Sequence, residues 1–205
     1  MDVHDLALPA PGPARSALLL RRTQAEWQAS GQDLLLFAYG SLIWRPGFDY
    51  VERLPARVQG FHRSLSMRSR TNRGSPEQPG LVLALLAGGS CRGLVYRVAR
   101  AQAEPVLQQL WEREMISGVY DPRWLRCQTP AGPLRALAFT LPRRSPSWTG
   151  RLPDADLLHV LRHARGRYGS TLDYLLLTVK SLREHGIRDA ELERQAHLAA
   201  QHGLC

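Results

Sequence analysis

Leu107, Leu110, Trp111 and Glu114 recur at i, i+3, i+4 and i+7, which is one face of a helix. A carboxylate at the end of an apolar stripe is costly unless paired, and burial raises its pKa toward values useful to a general base. Its neighbour Glu112 projects to roughly the opposite side, where solvation is cheap. Two readings of Glu114 stand: a base, or a structural carboxylate neutralised by Arg113, Arg126 or another arginine. On pattern alone the structural reading is the commoner. A second candidate is Phe37-Ala38-Tyr39-Gly40-Ser41-Leu42-Ile43-Trp44, an apolar run that empties into Gly-Ser. Such an exit places backbone N–H groups and a hydroxyl at a sheet end, a nest suited to a carboxylate or other small anion. A Gly-Ser turn after a strand is more often only a turn.

His62, Arg63, Arg68, Arg70 and Arg73 form the densest basic patch. No aromatic residue lies between Arg63 and Arg73, so the interleaving that a single-stranded nucleic-acid platform needs is missing. A solvated face and anion capture are both open for this patch. The 74–80 loop, with Pro76 and Pro79, is stiff enough to hold Arg73 in place. Other motifs fail. His159 and His163 stand at i, i+4 without the glutamate of HExxH, and 166–171 resembles a phosphate loop without GK[ST]. No GxSxG elbow is present, and Cys127 sits in a strand-like run without a histidine in register. Cys91, Cys127 and Cys205 form no CxxC pair and read as reduced thiols.

The elements that must position these residues follow from apolar runs and turn signals. A loose arm over 1–15, rich in proline, and a short helix over 23–29 ended by Gly31 are expected first. Strand-like runs cover 34–39, 56–67, 80–86, 93–98, 123–128 and 134–141, with Gly88-Gly89 as a hairpin turn. Pro105 suits the first turn of a helix running to about residue 115. After a proline-rich loop over 142–153, Asp154 can cap a helix through 165. Ser170 with Asp173 has capping-box spacing for a helix through about 185, with Gly186 at its end, and 189–201 is a last helix. This is an α+β plan: a mixed, roughly six-stranded sheet or small barrel with flanking helices. Residues 31–205 are expected to form one domain, with 1–30 as a partly loose N-terminal extension.

The chain has 205 residues, 44% hydrophobic and 22% charged, which excludes a disordered or collagen-like polymer. Lys+Arg 27 against Asp+Glu 18 gives a net charge of +9, and Lys180 is the single lysine. A basic balance raises nucleic acid or an anionic membrane first, but near-exclusive use of arginine also fits composition bias. No apolar run is long enough to span a bilayer, and 17–20 is too short and wrongly flanked for a signal peptide. A cytoplasmic location is expected.

Taken together, these residues resemble the ChaC-type γ-glutamylcyclotransferases, the glutathione-specific branch. The resemblance rests on Tyr39-Gly40-Ser41-Leu42-Ile43-Trp44, the Arg73–Gly80 loop, Gly93-Leu94-Val95-Tyr96-Arg97, Arg113-Glu114 with Tyr120 after it, and Thr171-x-x-Tyr174-Leu175. It spans about 34–190 in family order. It implies Glu114 as catalytic acid/base, Tyr39, Gly40, Ser41, Leu42 and Ile43 as the loop that holds the γ-glutamyl group, and Tyr174 in the substrate pocket. Arg68, Arg70 and Arg73 are candidates by position for a glycine carboxylate. The apolar stripe of the 170–185 helix is read as Leu172, Leu175, Leu176 and Val179, with Tyr174 off it and facing a cleft. The implied substrate is glutathione, without metal or other cofactor, nucleic acid or membrane; the oligomeric state is left open. Other γ-glutamyl amines, or a non-catalytic binding or regulatory role for the same fold, are the alternatives. The non-catalytic role is disfavoured because a mere binder gains nothing from a buried unpaired carboxylate. The segment 115–120 is longer than the Lys-Gly-Gly-Tyr of some family members, which bears on substrate preference.

Overall fold

The computed structural model describes residues 9–204. The elements run α1 (Pro13–Ser30), β1 (Leu34–Ala38), β2 (Glu52–Ser69), β3 (Gly80–Val98), α2 (Arg100–Glu114), β4 (Asp121–Thr129), β5 (Gly132–Thr140), α3 (Asp154–His163), β6 (Arg165–Gly166), β7 (Gly169–Ser170), α4 (Thr171–Glu184) and α5 (Ala190–Gln201). A single 3-10 turn, Ser41–Ile43, follows β1. The α+β plan therefore holds, and its barrel version is the one realised. Strands close in the order β1-β3-β2-β4-β5. β5 returns to β1 in parallel at Leu36↔Leu137, and the other barrel pairs are antiparallel. Leu36, Phe37, Leu85, Tyr96 and Leu137 are all buried; because successive strand residues such as Leu36 and Phe37 point to opposite faces, the barrel wall is covered on both sides here.

The expected hairpin at Gly88-Gly89 does not form, so five barrel strands replace the six. β2 and β3 pair from Glu52↔Arg97 to Ser69↔Gly80 with a register shift between Gln59↔Ser90 and Phe61↔Ala87. Gly88 (φ 105) and Gly89 (φ 72) thus oppose the single Gly60 (φ 79). This is a bulge, which bends a continuous ribbon. Glycines able to adopt positive φ serve a turn and a bulge alike, and local sequence cannot separate them.

Helix starts also differ from the reading. α1 begins at Pro13 in its first turn, buries Leu18, Leu19 and Trp27, and ends on left-handed Gly31 as expected. Within the expected loose arm, residues 1–8 lie outside the described residues, and 13–15 are already helical. α2 begins at Arg100, leaving Pro105 inside the helix rather than in its first turn; the preceding Ala-Gln-Ala-Glu is good helix former. Ser170 and Asp173 make the expected capping box, with the Asp173 N–H donating to Ser170 Oγ at 2.9 Å and the Ser170 N–H to the Asp173 carboxylate at 3.0 Å. Gly186 follows α4 at φ 66. Asp154 is the first residue of α3, after Pro153 as N-cap.

Candidate active site

The turn after β1 is held by hydrogen bonds with residues of β2, β3 and β5. The Tyr96 hydroxyl donates to the carbonyls of Leu42 (3.1 Å) and Ile43 (3.3 Å). Arg63 Nε donates to the Tyr39 carbonyl at 2.9 Å, and the Tyr39 hydroxyl donates to the Phe139 carbonyl at 2.8 Å. The Ile43 N–H closes onto the Gly40 carbonyl at 2.9 Å. The N–H groups of Ser41 and Leu42 head this turn, where no carbonyl of the turn itself can reach them. A Cβ on Gly40 would stand 3.1 Å from the Tyr174 hydroxyl.

Glu114 is the last residue of α2, and its side chain is 20% exposed. Burial raises its carboxyl above the ordinary range, and the adjacent Arg113 guanidinium, 3.1 Å away, offsets part of that rise. Glu114 is therefore paired, which corrects the expectation of an unpaired buried carboxylate and weakens that ground against a mere binding role. Arg113 does more than neutralise. Its Nη2 donates to Ser41 Oγ at 2.9 Å and its Nη1 to the carbonyls of Arg45 (2.7 Å) and Pro46 (3.1 Å). One guanidinium thus joins the carboxylate to the Gly-Ser turn.

Three buried tyrosines complete the constellation. Tyr39, Tyr120 and Tyr174 all have phenols pushed up by burial, and in each the nearby Glu114 charge pushes further. Tyr174 rises to about 12 through burial, with the Leu83 N–H working the other way. Tyr120 and Tyr174 meet at one backbone residue. The Leu83 N–H donates to Tyr174 Oη at 3.3 Å, and the Tyr120 hydroxyl donates to the Leu83 carbonyl at 3.2 Å. Two side chains thereby occupy the place of a neighbouring strand at the end of the barrel.

Tyr174 is 5% exposed, so it does not face an open cleft off the apolar stripe. The buried face of α4 runs through Thr171, Tyr174, Leu175, Thr178, Val179 and Leu182. Its hydroxyls serve neighbours: Thr171 Oγ1 accepts from the Leu81 N–H and donates to the Arg73 carbonyl, and Thr178 Oγ1 accepts from Trp44 Nε1. An apolar pattern overlooks a face whose inward positions are polar but satisfied.

The basic patch divides. Arg73 is buried, its guanidinium 5.1 Å from the Tyr174 ring centre and 5.9 Å from that of Trp44, and it donates to the carbonyls of Tyr168 and Ser170. Arg63 is buried as a scaffold residue, while Arg68 and Arg70 are exposed. A Cβ on Gly74 would lie 2.0 Å from the Gly80 nitrogen, so the loop that carries Arg73 closes on itself. The structure thus gathers Glu114, Tyr39, Gly40, Ser41, Leu42, Ile43, Tyr174 and Arg73 at one end of the barrel. Leu42 and Ile43 contribute backbone, since both side chains are buried. Motif reading gave Arg113 only a neutralising role and Tyr120 none beyond the resemblance; each is recognisable only once Ser41 and Leu83 are beside it. Surface depressions of about 400 and 430 Å3 lie elsewhere, at Trp124 and Leu134 and at Phe48 and Gln109. Among the described residues, no group of three or more His, Cys, Asp or Glu is placed to hold a metal, and no helix is long and apolar enough to cross a membrane.

A closed five-stranded barrel with flanking helices is the fold of the γ-glutamylcyclotransferases that this chain resembles in structure. A crystal structure of the glutathione-specific γ-glutamylcyclotransferase from yeast superposes with a TM-score of 0.76 over 83% of this chain and 96% of that one, at 19% identity. The sequence model of the ChaC-like protein family matches residues 34–201, and the chain belongs to that family. It is 32% identical over 155 residues to the glutathione-specific γ-glutamylcyclotransferase of Escherichia coli K12, covering 75% of this chain and 67% of that protein. It is 34% identical over 150 residues to glutathione-specific γ-glutamylcyclotransferase 1 of Homo sapiens, covering 71% and 68%.

Proposed function

We propose that this protein is a glutathione-specific γ-glutamylcyclotransferase, a carbon–nitrogen lyase that converts glutathione to 5-oxoproline and Cys-Gly. The observation that carries the reading is Glu114: a carboxylate raised by burial, joined through Arg113 to the Gly-Ser turn, in a chain about a third identical to enzymes so named.

The chemistry needs few parts. The α-amine of a γ-glutamyl amide attacks its own γ-carbonyl, forming the lactam C–N bond as the bond to the cysteinyl nitrogen breaks. Attack is intramolecular, so holding the folded conformer supplies much of the rate. The α-nitrogen arrives as an ammonium and loses two protons; the cysteinyl nitrogen gains two. Glu114 carries one of these protons from the first nitrogen to the second, ending as it began, and the other is exchanged with solvent. The N–H groups of Ser41 and Leu42 receive the α-carboxylate, and Tyr174 fixes the γ-glutamyl group beside Gly40. Arg73 supplies the charge for the glycine carboxylate, set against the faces of Trp44 and Tyr174.

The test follows 5-oxoproline release from glutathione and from γ-Glu-Ala, for wild type and Glu114→Gln. Loss of a general base costs about 10²–10⁴-fold in kcat. Turnover that persists in Glu114→Gln sinks the assigned base, and equal efficiency on γ-Glu-Ala sinks specificity for glutathione.

A further inference from the structure

Glu114 sits in a stretch, from Trp111 to Asp121, whose second half has no regular structure between α2 and β4. A catalytic carboxylate on such a stretch has to be fixed from outside it, because a small misplacement is expensive in rate. α1 does this at three adjacent points. Upstream of Glu114, Trp111 Nε1 donates to the Ser16 carbonyl at 2.9 Å. Downstream, Arg15 Nε donates to the Gly118 carbonyl at 2.9 Å, and Arg15 Nη2 pairs with the Asp121 carboxylate. Between them Gly118, at φ 61, lies flat against Gly12; a Cβ there would stand 2.7 Å from the Gly12 oxygen. Arg15 is 6% exposed, and a buried guanidinium keeps its place only where its donors are used. All three grips come from residues that precede the family-matched region, which begins at residue 34.

We propose that the first turn of α1 is a clamp that positions Glu114, with Arg15 as the positioning residue acting through Gly118 and Asp121. The proposal rests on the reading of Glu114 as the base. It gives the N-terminal segment a task in the reaction, and it accounts for how the longer 115–120 segment of this chain is held. Release of the clamp lets water reach the carboxylate, so the pH profile moves as well as the rate.

The experiment compares wild type with Arg15→Met, Arg15→Lys and Asp121→Asn. Kinetics on glutathione are paired with hydrogen exchange resolved over 111–121. In Arg15→Met, kcat falls about tenfold with KM within about twofold, as expected of misplacement rather than lost binding. The acidic limb of kcat/KM moves down toward an ordinary carboxylate, and amides of 115–121 exchange about tenfold faster while the barrel strands keep their protection. Arg15→Lys recovers part of each effect. Asp121→Asn, which spares the Gly118 contact, shows the same changes in smaller measure and serves if Arg15→Met does not fold. Wild-type exchange and an unmoved acidic limb in the Arg15 and Asp121 variants overturn the clamp, as does a loss spread evenly over the whole chain. If wild type releases no 5-oxoproline, the proposed function fails, whereas the exchange result still decides whether α1 holds the segment.

Discussion

Tyr174→Phe removes a single buried oxygen that lies between Leu83 and Gly40, and its effect can be worked out from one backbone residue. Leu83 is 3% exposed and pairs with Leu65 on one side. On the other, its N–H has the Tyr174 oxygen at 3.3 Å and its carbonyl has the Tyr120 hydroxyl. The Phe ring keeps the face on which Arg73 rests, so the change isolates the hydroxyl. A buried N–H left without an acceptor costs about 1–3 kcal/mol. For a chain of this length each kcal/mol lowers Tm by about 2–4 °C, which gives a drop of about 2–12 °C. The same oxygen is what a Cβ on Gly40 would meet at 3.1 Å. Gly40→Ala should therefore be less harmful in the Tyr174→Phe background than in wild type, a coupling expected of contacting residues. Thermal unfolding of the two single variants and the double variant measures both quantities. A Tm for Tyr174→Phe within about 1 °C of wild type, or strict additivity with Gly40→Ala, would refute the role given to this hydroxyl.

Three further outcomes are expected. Burial holds the Glu114 carboxyl above the ordinary range, so its base form is lost early as pH falls. The acidic limb of kcat/KM should lie above the usual carboxylate range and be absent from the residual activity of Glu114→Gln. A raised folded-state pKa contributes stability that is fully present below the unfolded value, and that contribution is lost as pH rises through the folded value. Wild type should therefore gain stability relative to Glu114→Gln toward about pH 4, read from urea midpoints across pH. Gly74→Ala would place a Cβ 2.0 Å from the Gly80 nitrogen and 2.7 Å from the Gln78 carbonyl. Backbone cannot yield as a flexible side chain does, so a loss of about 3 kcal/mol or a raised KM for glutathione through displaced Arg73 is expected; an unchanged Tm together with an unchanged KM contradicts the closed loop.

Local rules made much of this legible in the sequence, and their failures share a cause. The capping box at Ser170 and Asp173, the end of α1 at Gly31, the stripe carrying Glu114 and the positions of the strand runs depend on neighbours a few residues apart. Gly88-Gly89 misled because its meaning depends on Gly60, far away in the chain. The face of α4 was misplaced because Thr171, Tyr174 and Thr178 are acceptable inside only with Leu81, Leu83 and Trp44 beside them. Arg113 and Tyr120 gained their tasks in the same way, from Ser41 and Leu83.

The net charge of +9 belongs to this class of long-range fact. Taken as a surface property, it points to an extended polyanion. Several of the arginines that supply it work inside the fold. Arg63 ties the Tyr39 carbonyl to β3 through the Arg92 carbonyl. Arg15 grips the segment after Glu114, and Arg73 lies against Trp44 and Tyr174. Arg113 spans the turn and the carboxylate. Arg15, Arg63 and Arg113 each use two or more nitrogens of the planar fork that lysine lacks, and Arg73 sets its guanidinium over two rings, which gives a physical reason for arginine at these four positions. The cation that remains near the Gly-Ser turn comes from Arg45, Arg73 and Arg113, with the Glu114 and Asp173 carboxylates as counter-charges. That local imbalance matches a small peptide with two carboxylates better than it matches a phosphate backbone, whose charges repeat along a line.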